Sequence, residues 1–239
     1  MITKPVKTRI FRENESLVKF IREHVKSLPE KSVLVVTSKI VALAEGRTAE
    51  DRGASSKVKL IKQESEAMIR TKYIHLSLKD GMLMAAAGID ASNADGKFIL
   101  LPKDSFKVAR ELRTELRKAF KVKNFGILIT DSRTFPLRAG VVGLTVGFAG
   151  FLGIRDYRGR KDIFGRKLVF SRTNVADCLA SAAVVEMGEA AERQPLALIQ
   201  GASVVFTDKT VRKDSVSISI EDDLYGPLLN PLIKRMKRI

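Results

Sequence analysis

The chain has 239 residues, 43 Lys and Arg against 27 Asp and Glu, a net charge of +16 and 45% hydrophobic residues. That length suits one large domain or two small ones and lets roughly 70–75% of the unfolded surface be buried. One cysteine, Cys178, excludes an internal disulfide; the start Met1–Lys7 lacks a signal-peptide run, and the 16-residue stretch Ala139–Ile154, the longest nearly apolar one, is shorter than a membrane span requires, so a soluble cytoplasmic protein is expected.

In chain order, Leu17, Phe20, Ile21, Val25 and Leu28 recur at helical spacing, with Asn14 or Ser16 as cap. Val33–Val36 predicts a short buried strand, and a helix starts at Ser38. Ser55–Arg70 has helical tendency. Tyr73–Leu78 and Met82–Ala86 predict two strands joined by the turn signal Lys79-Asp80-Gly81. Lys97–Leu101 predicts a strand ended by Pro102, and Asp104/Ser105–Phe120 an amphipathic helix with a basic outer face. Phe125–Thr130 is a buried strand. Val141–Phe148 alternates glycine with branched residues, as a closely packed strand does. Thr173 to about Arg193 is alanine-rich and helical; Leu196–Ile199 and Val204–Thr207 are strands. Asp222–Ile239 is helical but interrupted near Pro227 and Pro231. Strands and helices do not alternate regularly and there is no repeat, so the fold class expected is α+β: mixed and antiparallel sheets with packed helices, a single domain over 1–239, with two subdomains as an option.

The positive charge fits three explanations: nucleic-acid binding, attraction of a small anionic substrate, or solvated lysines. No nucleic-acid module is recognisable and few aromatics interleave with the basic residues, which argues against nucleic acid. No phosphate loop, dinucleotide fingerprint or zinc signature occurs. His24 lies by a helical apolar stripe and His75 has no partner nearby in sequence, so neither a zinc hydrolase nor a serine triad is expected.

Oxygen chemistry remains. Asp131 ends a very apolar strand, where an unpaired charge is costly. Asp90 follows a strand in Ala87–Asn93, and Glu189 follows Gly188 late in an apolar helix. Singly, each acid can equally be a turn or surface residue. If they converge, Mg²⁺ or Mn²⁺ is the natural partner, because like charges about 4 Å apart repel by roughly 4 kcal/mol at an effective dielectric near 20. Arg138, Arg160, Lys161 and Arg166 can serve phosphate oxygens, with Gly159 and Gly165 beside them, or can be solvated loop charge.

Four blocks together resemble the coenzyme F-420 γ-glutamyl ligases. They are Val35–Val41 with Ala44–Arg47; Ala87–Asn93 with Leu100-Leu101-Pro102; Ile129–Ser132 through Arg138, Gly140, Val142 and Gly143; and Gly159–Asp162 with Gly165-Arg166, Val175–Asp177 and Met187–Glu189. The resemblance implies an enzyme that joins L-glutamate to a carboxylate of a phosphate-containing deazaflavin precursor, using GTP (or ATP) and a divalent metal, through an acyl phosphate. It also implies an unusual α+β fold and a homodimer. Carried over by position, Asp90, Asp131, Ser132 and Glu189 are metal ligands. Ser38, Lys39, Asn93, Met187 and Gly188 touch the nucleotide, and Arg138, Arg160 and Lys161 serve catalysis. The chain departs from the family pattern at Leu43, where a lysine is usual, at Thr8–Phe11, and at Arg133-Thr134-Phe135. These departures point to a divergent member. A catalytically inactive relative, holding a phosphorylated ligand or nucleic acid on its basic surface, is the alternative.

Overall fold

The computed structural model describes residues 1–238. Five strands form the central sheet: β1 (Ile2–Val6), β2 (Ser32–Thr37), β8 (Phe125–Arg133), β9 (Val142–Ala149) and β12 (Leu196–Gln200). The remaining strands are β3 (Thr48–Glu50), β4 (Ala67–Arg70), β5 (His75–Lys79), β6 (Met82–Ala85), β7 (Lys97–Ile99), β10 (Ile154–Asp156), β11 (Arg172–Asn174) and β13 (Lys237–Arg238). The helices are α1 (Leu17–His24), α2 (Ser38–Ala44), α3 (Ala54–Glu64), α4 (Ser105–Phe120), α5 (Val175–Met187) and α6 (Gly226–Arg235). The central order is β1-β12-β2-β8-β9; only β2 and β8 run parallel, and the other neighbours are antiparallel. A second sheet has the order β13-β4-β5-β6, and β3-β7 and β10-β11 are two-stranded. The α+β class with mixed sheets is thus what the chain adopts.

The period-2 alternation of strands divides the core between the two faces of the central sheet. Leu34, Val36, Ile127, Ile129 and Leu196 pack toward α1, α2 and α4. Val33, Val35, Leu128, Ala197 and Ile199 pack toward the alanine-rich face of α5. β2 and β8 lie in the middle, buried on both sides, which is why they read as unbroken apolar runs. A third cluster, with Ile61, Ile89, Phe98 and Leu100, joins α3 to the segment that carries Asp90.

Three of the helix starts are set by a capping side chain. Ser16 caps α1, Asp104 caps α4 and Asn174 caps α5, each accepting a backbone N–H three residues on. Several boundaries differ from the sequence reading. The first helix ends at His24 rather than Leu28, and Ser55–Arg70 divides into α3 and the strand β4. The expected Thr173–Arg193 helix stops at Met187, because Gly188 adopts a φ of +77° that a helix cannot continue. Val204–Thr207 is not a strand; only Phe206 bridges, to Phe151. Pro227 opens α6 and Pro231 lies inside it, and the expected helix to Ile239 gives way to β13, with Ile239 outside the described residues.

Glu64 joins this scaffold to its second layer. Its carboxylate accepts from Arg47 Nη2 at 2.6 Å and from Lys79 Nζ, and is 17% exposed. Burial works to raise its pKa, but the Lys79 and Arg47 hydrogen bonds outweigh it and hold the group below the usual glutamate range. A folded pKa below the unfolded one gives stability that is complete above the unfolded value and lost as pH falls through the folded value. Glu64→Gln is therefore expected to lower the urea-derived stability by about 2 kcal/mol at neutral pH. The deficit relative to the native chain should close below roughly pH 4. A deficit that persists unchanged to pH 3 rejects the assignment.

Candidate active site

The first turn of α2 draws two of the acids together. Ser38 Oγ donates to Asp131 Oδ1 at 2.8 Å, and the next residue, Lys39, donates through Nζ to Asp90 Oδ2 at 2.8 Å. Ser38 reaches Asp131 because β2 and β8 run parallel and in register, Thr37 opposite Thr130, so both chains leave the sheet side by side. A register shift between Ile129 and Thr130 precedes Asp131, a bulge that resets which way the strand's last side chains point.

Asp90 is held by the loop that bears it. Ser92 donates to it through both N–H and Oγ, and Lys39 also reaches the Ser92 carbonyl at 2.7 Å. Partial burial opposes ionisation of Asp90, but Lys39 and Ser92 outweigh it and hold the carboxyl below its ordinary range. Ala86, Ala87 and Gly88, all at positive φ, turn the chain into this loop. Two consecutive left-handed alanines cost roughly 1–2 kcal/mol each, strain that the buried third cluster sustains.

The third acid comes from the turn after α5. Ser132 Oγ donates to Glu189 Oε1, joining the end of β8 to that turn. Glu189 is thus a loop residue and not a helical one. Gly188 makes the turn, and a Cβ there would meet the Glu192 side chain at 2.5 Å. Asn93 Nδ2 donates to the Ala190 carbonyl at 3.0 Å, tying the Asp90 loop to the same turn. Three hydrogen bonds, from Lys39 to Asp90, Ser38 to Asp131 and Ser132 to Glu189, together with the peptide links Ser38-Lys39 and Asp131-Ser132, therefore connect Asp90 to Glu189.

Beside this chain of contacts lies a cleft of about 950 Å³, the size of a small-molecule site. Lys39, Asn93 and Met187 line it, as do Thr8–Glu13, Leu43, Lys97 and Ala190–Pro195. Arg12, Lys97 and Arg193 are cleft residues that sequence reasoning missed; they come from segments distant in sequence, and only the cations themselves could have signalled them. Two of the cleft's cations are already committed, Arg9 to Glu15 and Glu23 and Lys97 to Glu13 at 2.7 Å. Leu43 presents an apolar wall.

Arg138, Arg160 and Lys161 line neither this cleft nor a smaller cavity of about 500 Å³ between β6, the start of α4 and residues 212–217. Arg138 sits in an exposed turn after β8. Arg160 and Lys161 belong to an arm, residues 157–171, that projects between β10 and β11. Arg160 lies 5.5 Å over the Tyr157 ring. The arm carries Ile163, Phe164 and Phe170 almost fully exposed, and its backbone bonds are local: Gly159 N–H to Leu168 O, Leu168 N–H to Arg160 O and Asp162 N–H to Arg166 O.

Asp131, Ser132, Glu189 and Asp90 offer only hard oxygen donors, a set that suits Mg²⁺ or Mn²⁺ in chemistry. Among the described residues, no three His, Cys, Asp or Glu side chains already stand together as a metal group. Each acid is engaged by a protein partner instead, with Arg133 Nη2 3.0 Å from Asp131 Oδ2.

Residues 5–201 match the sequence profile of the F420-0:gamma-glutamyl ligase family. The chain belongs to this family. It is similar to the coenzyme F420:L-glutamate ligase of Methanopyrus kandleri, 35% identical over 81% of this chain and 83% of that protein. It is similar also to those of Methanococcus maripaludis, 33% identical over 83% and 80%, and Archaeoglobus fulgidus, 30% identical over 82% and 85%. Membership in this ligase family fits a site made of acids beside a basic cleft. Among the described residues no helix is long and apolar enough to cross a membrane.

Proposed function

We propose that this chain joins L-glutamate by an amide bond to a carboxylate of a phosphate-containing deazaflavin coenzyme precursor. GTP or ATP is the co-substrate, Mg²⁺ or Mn²⁺ is required, and the chain works as a homodimer. The observation that carries the reading is the set of three hydrogen bonds, Lys39 to Asp90, Ser38 to Asp131 and Ser132 to Glu189, that ties the acids to one another through adjacent residues, with Lys39 and Asn93 also lining a cleft large enough for a nucleotide, in a chain of this ligase family.

In this reading the cleft takes the nucleotide. Arg12 and Arg193 supply positive charge to its phosphates, and Lys39 leaves Asp90 and Ser92 to join them when Asp90 turns to the metal. Asn93 and the chain around Gly188 contact the nucleotide, and Leu43 packs apolar surface. The precursor's carboxylate oxygen attacks the γ-phosphorus and the nucleoside diphosphate leaves. The glutamate amine then attacks the acyl carbon, loses a proton, and inorganic phosphate departs. Arg138, Arg160 and Lys161 contact the anionic precursor from loops outside the cleft. Asp90, Asp131, Ser132 and Glu189 would hold the metal, which supplies charge compensation where phosphate meets carboxylate.

The test is mass spectrometry after incubation with the unglutamylated coenzyme, glutamate, GTP or ATP, and Mg²⁺ or Mn²⁺. A mass gain of one glutamate is expected, and no product with any pairing rejects the substrate assignment. Glu189→Gln should cut turnover about 100-fold while leaving the thermal midpoint nearly unchanged; native turnover in that variant removes Glu189 from the site.

A further inference from the structure

Arg133 is the last residue of β8 and is only 7% exposed. Its Nη2 lies 3.0 Å from Asp131 Oδ2. Yet neither Nε nor Nη2, the edge of the guanidinium that suits a two-oxygen acceptor, makes a hydrogen bond. A guanidinium cannot shed its charge, and one this buried, with donors unspent, is held by the nearest anion. Arg133 forms no other ion pair among the described residues. Asp131 in turn has one oxygen on Ser38 and the other beside Arg133. The partners of the other acids differ: Lys39, which serves Asp90, is flexible and also binds Ser92, and among the described residues Glu189 accepts from the Ser132 hydroxyl and no cation pairs with it.

We propose that Arg133 is an intramolecular competitor for metal at Asp131: a fixed monovalent cation that a divalent ion has to displace, setting the affinity of the site. The inference rests on the metal reading above. A metal at Asp131 gains one carboxylate but meets a desolvated positive charge a few ångströms away, and the repulsion weakens binding in this chain relative to one with a neutral residue there. Arg133 acts through Asp131 and is a positioning residue, not a catalytic one.

The experiment is calorimetric titration of Mn²⁺ into the full chain, with thermal midpoints recorded in parallel with and without the ion. Arg133→Met keeps the length and apolar stem and removes the charge; Arg133→Lys keeps the charge. Arg133→Met should bind Mn²⁺ at least tenfold more tightly than the native chain and gain more thermal stability from it, with Arg133→Lys near native. Should Arg133→Met not fold even at millimolar Mn²⁺, Arg133→Gln is read the same way. If neither folds, the pair is purely structural and the proposal is overturned. Native-like or weaker Mn²⁺ binding in a folded neutral variant overturns it while leaving the metal reading intact. Binding in the variant but not in the native chain supports it and rejects the metal reading for the native protein. No binding in any of them rejects both.

Discussion

Asp131→Asn is expected to destabilise the fold by about 3–5 kcal/mol, the cost of leaving a buried charge without its partner. The reason is Arg133, which is nearly excluded from solvent and has Asp131 as its counter-ion. Asparagine keeps the acceptor for Ser38 but presents no charge to the guanidinium. For a chain of this size that loss corresponds to a fall in Tm of roughly 6–20 °C. The double change Asp131→Asn/Arg133→Met should recover most of it, because the orphaned cation is gone, and the two changes should be strongly non-additive, as contacting residues are. Urea unfolding of the native chain, both singles and the double measures this. A single change costing less than about 0.5 kcal/mol, the scale of an inconsequential surface substitution, shows that the pair is solvated after all. The result also governs how metal titrations on Asp131 variants are read, since lost binding and lost fold have to be separated.

The second large effect is expected at Gly143. A Cβ there would lie 2.4 Å from the Ala180 carbonyl oxygen and 2.6 Å from Val184 Cγ2 on α5. The strand and helix meet at this point with no room for a side chain, and Ser181 donates to the Gly143 carbonyl at 2.8 Å. Gly143→Val is expected to cost about 3 kcal/mol, the upper end for overpacking. Because the collision is relieved by moving α5 outward, and α5 runs into the Glu189 turn, the Ser132–Glu189 contact should loosen as stability falls. Val141→Ala, at a neighbouring position that is 46% exposed, should leave stability within about 0.5 kcal/mol. Equal costs at the two positions would mean that β9 and α5 are not in close register.

Much of the scaffold is legible in the sequence. Val33–Val36 and Phe125–Thr130 are apolar on both faces because they lie mid-sheet, and the glycines of Val141–Phe148 mark where helices approach the strand. The pattern of Ser105–Phe120 gives α4 to the residue. What the sequence conceals depends on pairing across long separations. Ile2–Val6 contains Lys4 and Pro5 and does not look like a strand; it becomes one as the edge of the sheet beside β12, where proline is tolerated. Val204–Thr207 has strand-like residues but no adequate partner. At the site, family resemblance singles out Asp90, Asp131 and Glu189, but the tether from Ser38 to Asp131 spans 93 positions. Likewise, Arg133 reads as a deviation from a motif, and only burial shows which anion it serves. The cleft cations Arg12 and Arg193 belong to connecting segments whose path no local periodicity encodes.

The arm at 157–171 has an evolutionary consequence. Its backbone hydrogen bonds close on themselves, from Tyr157 N–H to Ser171 O inward to Asp162 N–H and Arg166 O. Its shape therefore asks little of the rest of the chain. Substitutions at Ile163, Phe164 or Phe170 can accumulate without disturbing the acids or the cleft, so the arm and the end of β8 are free to diverge at different rates within one lineage.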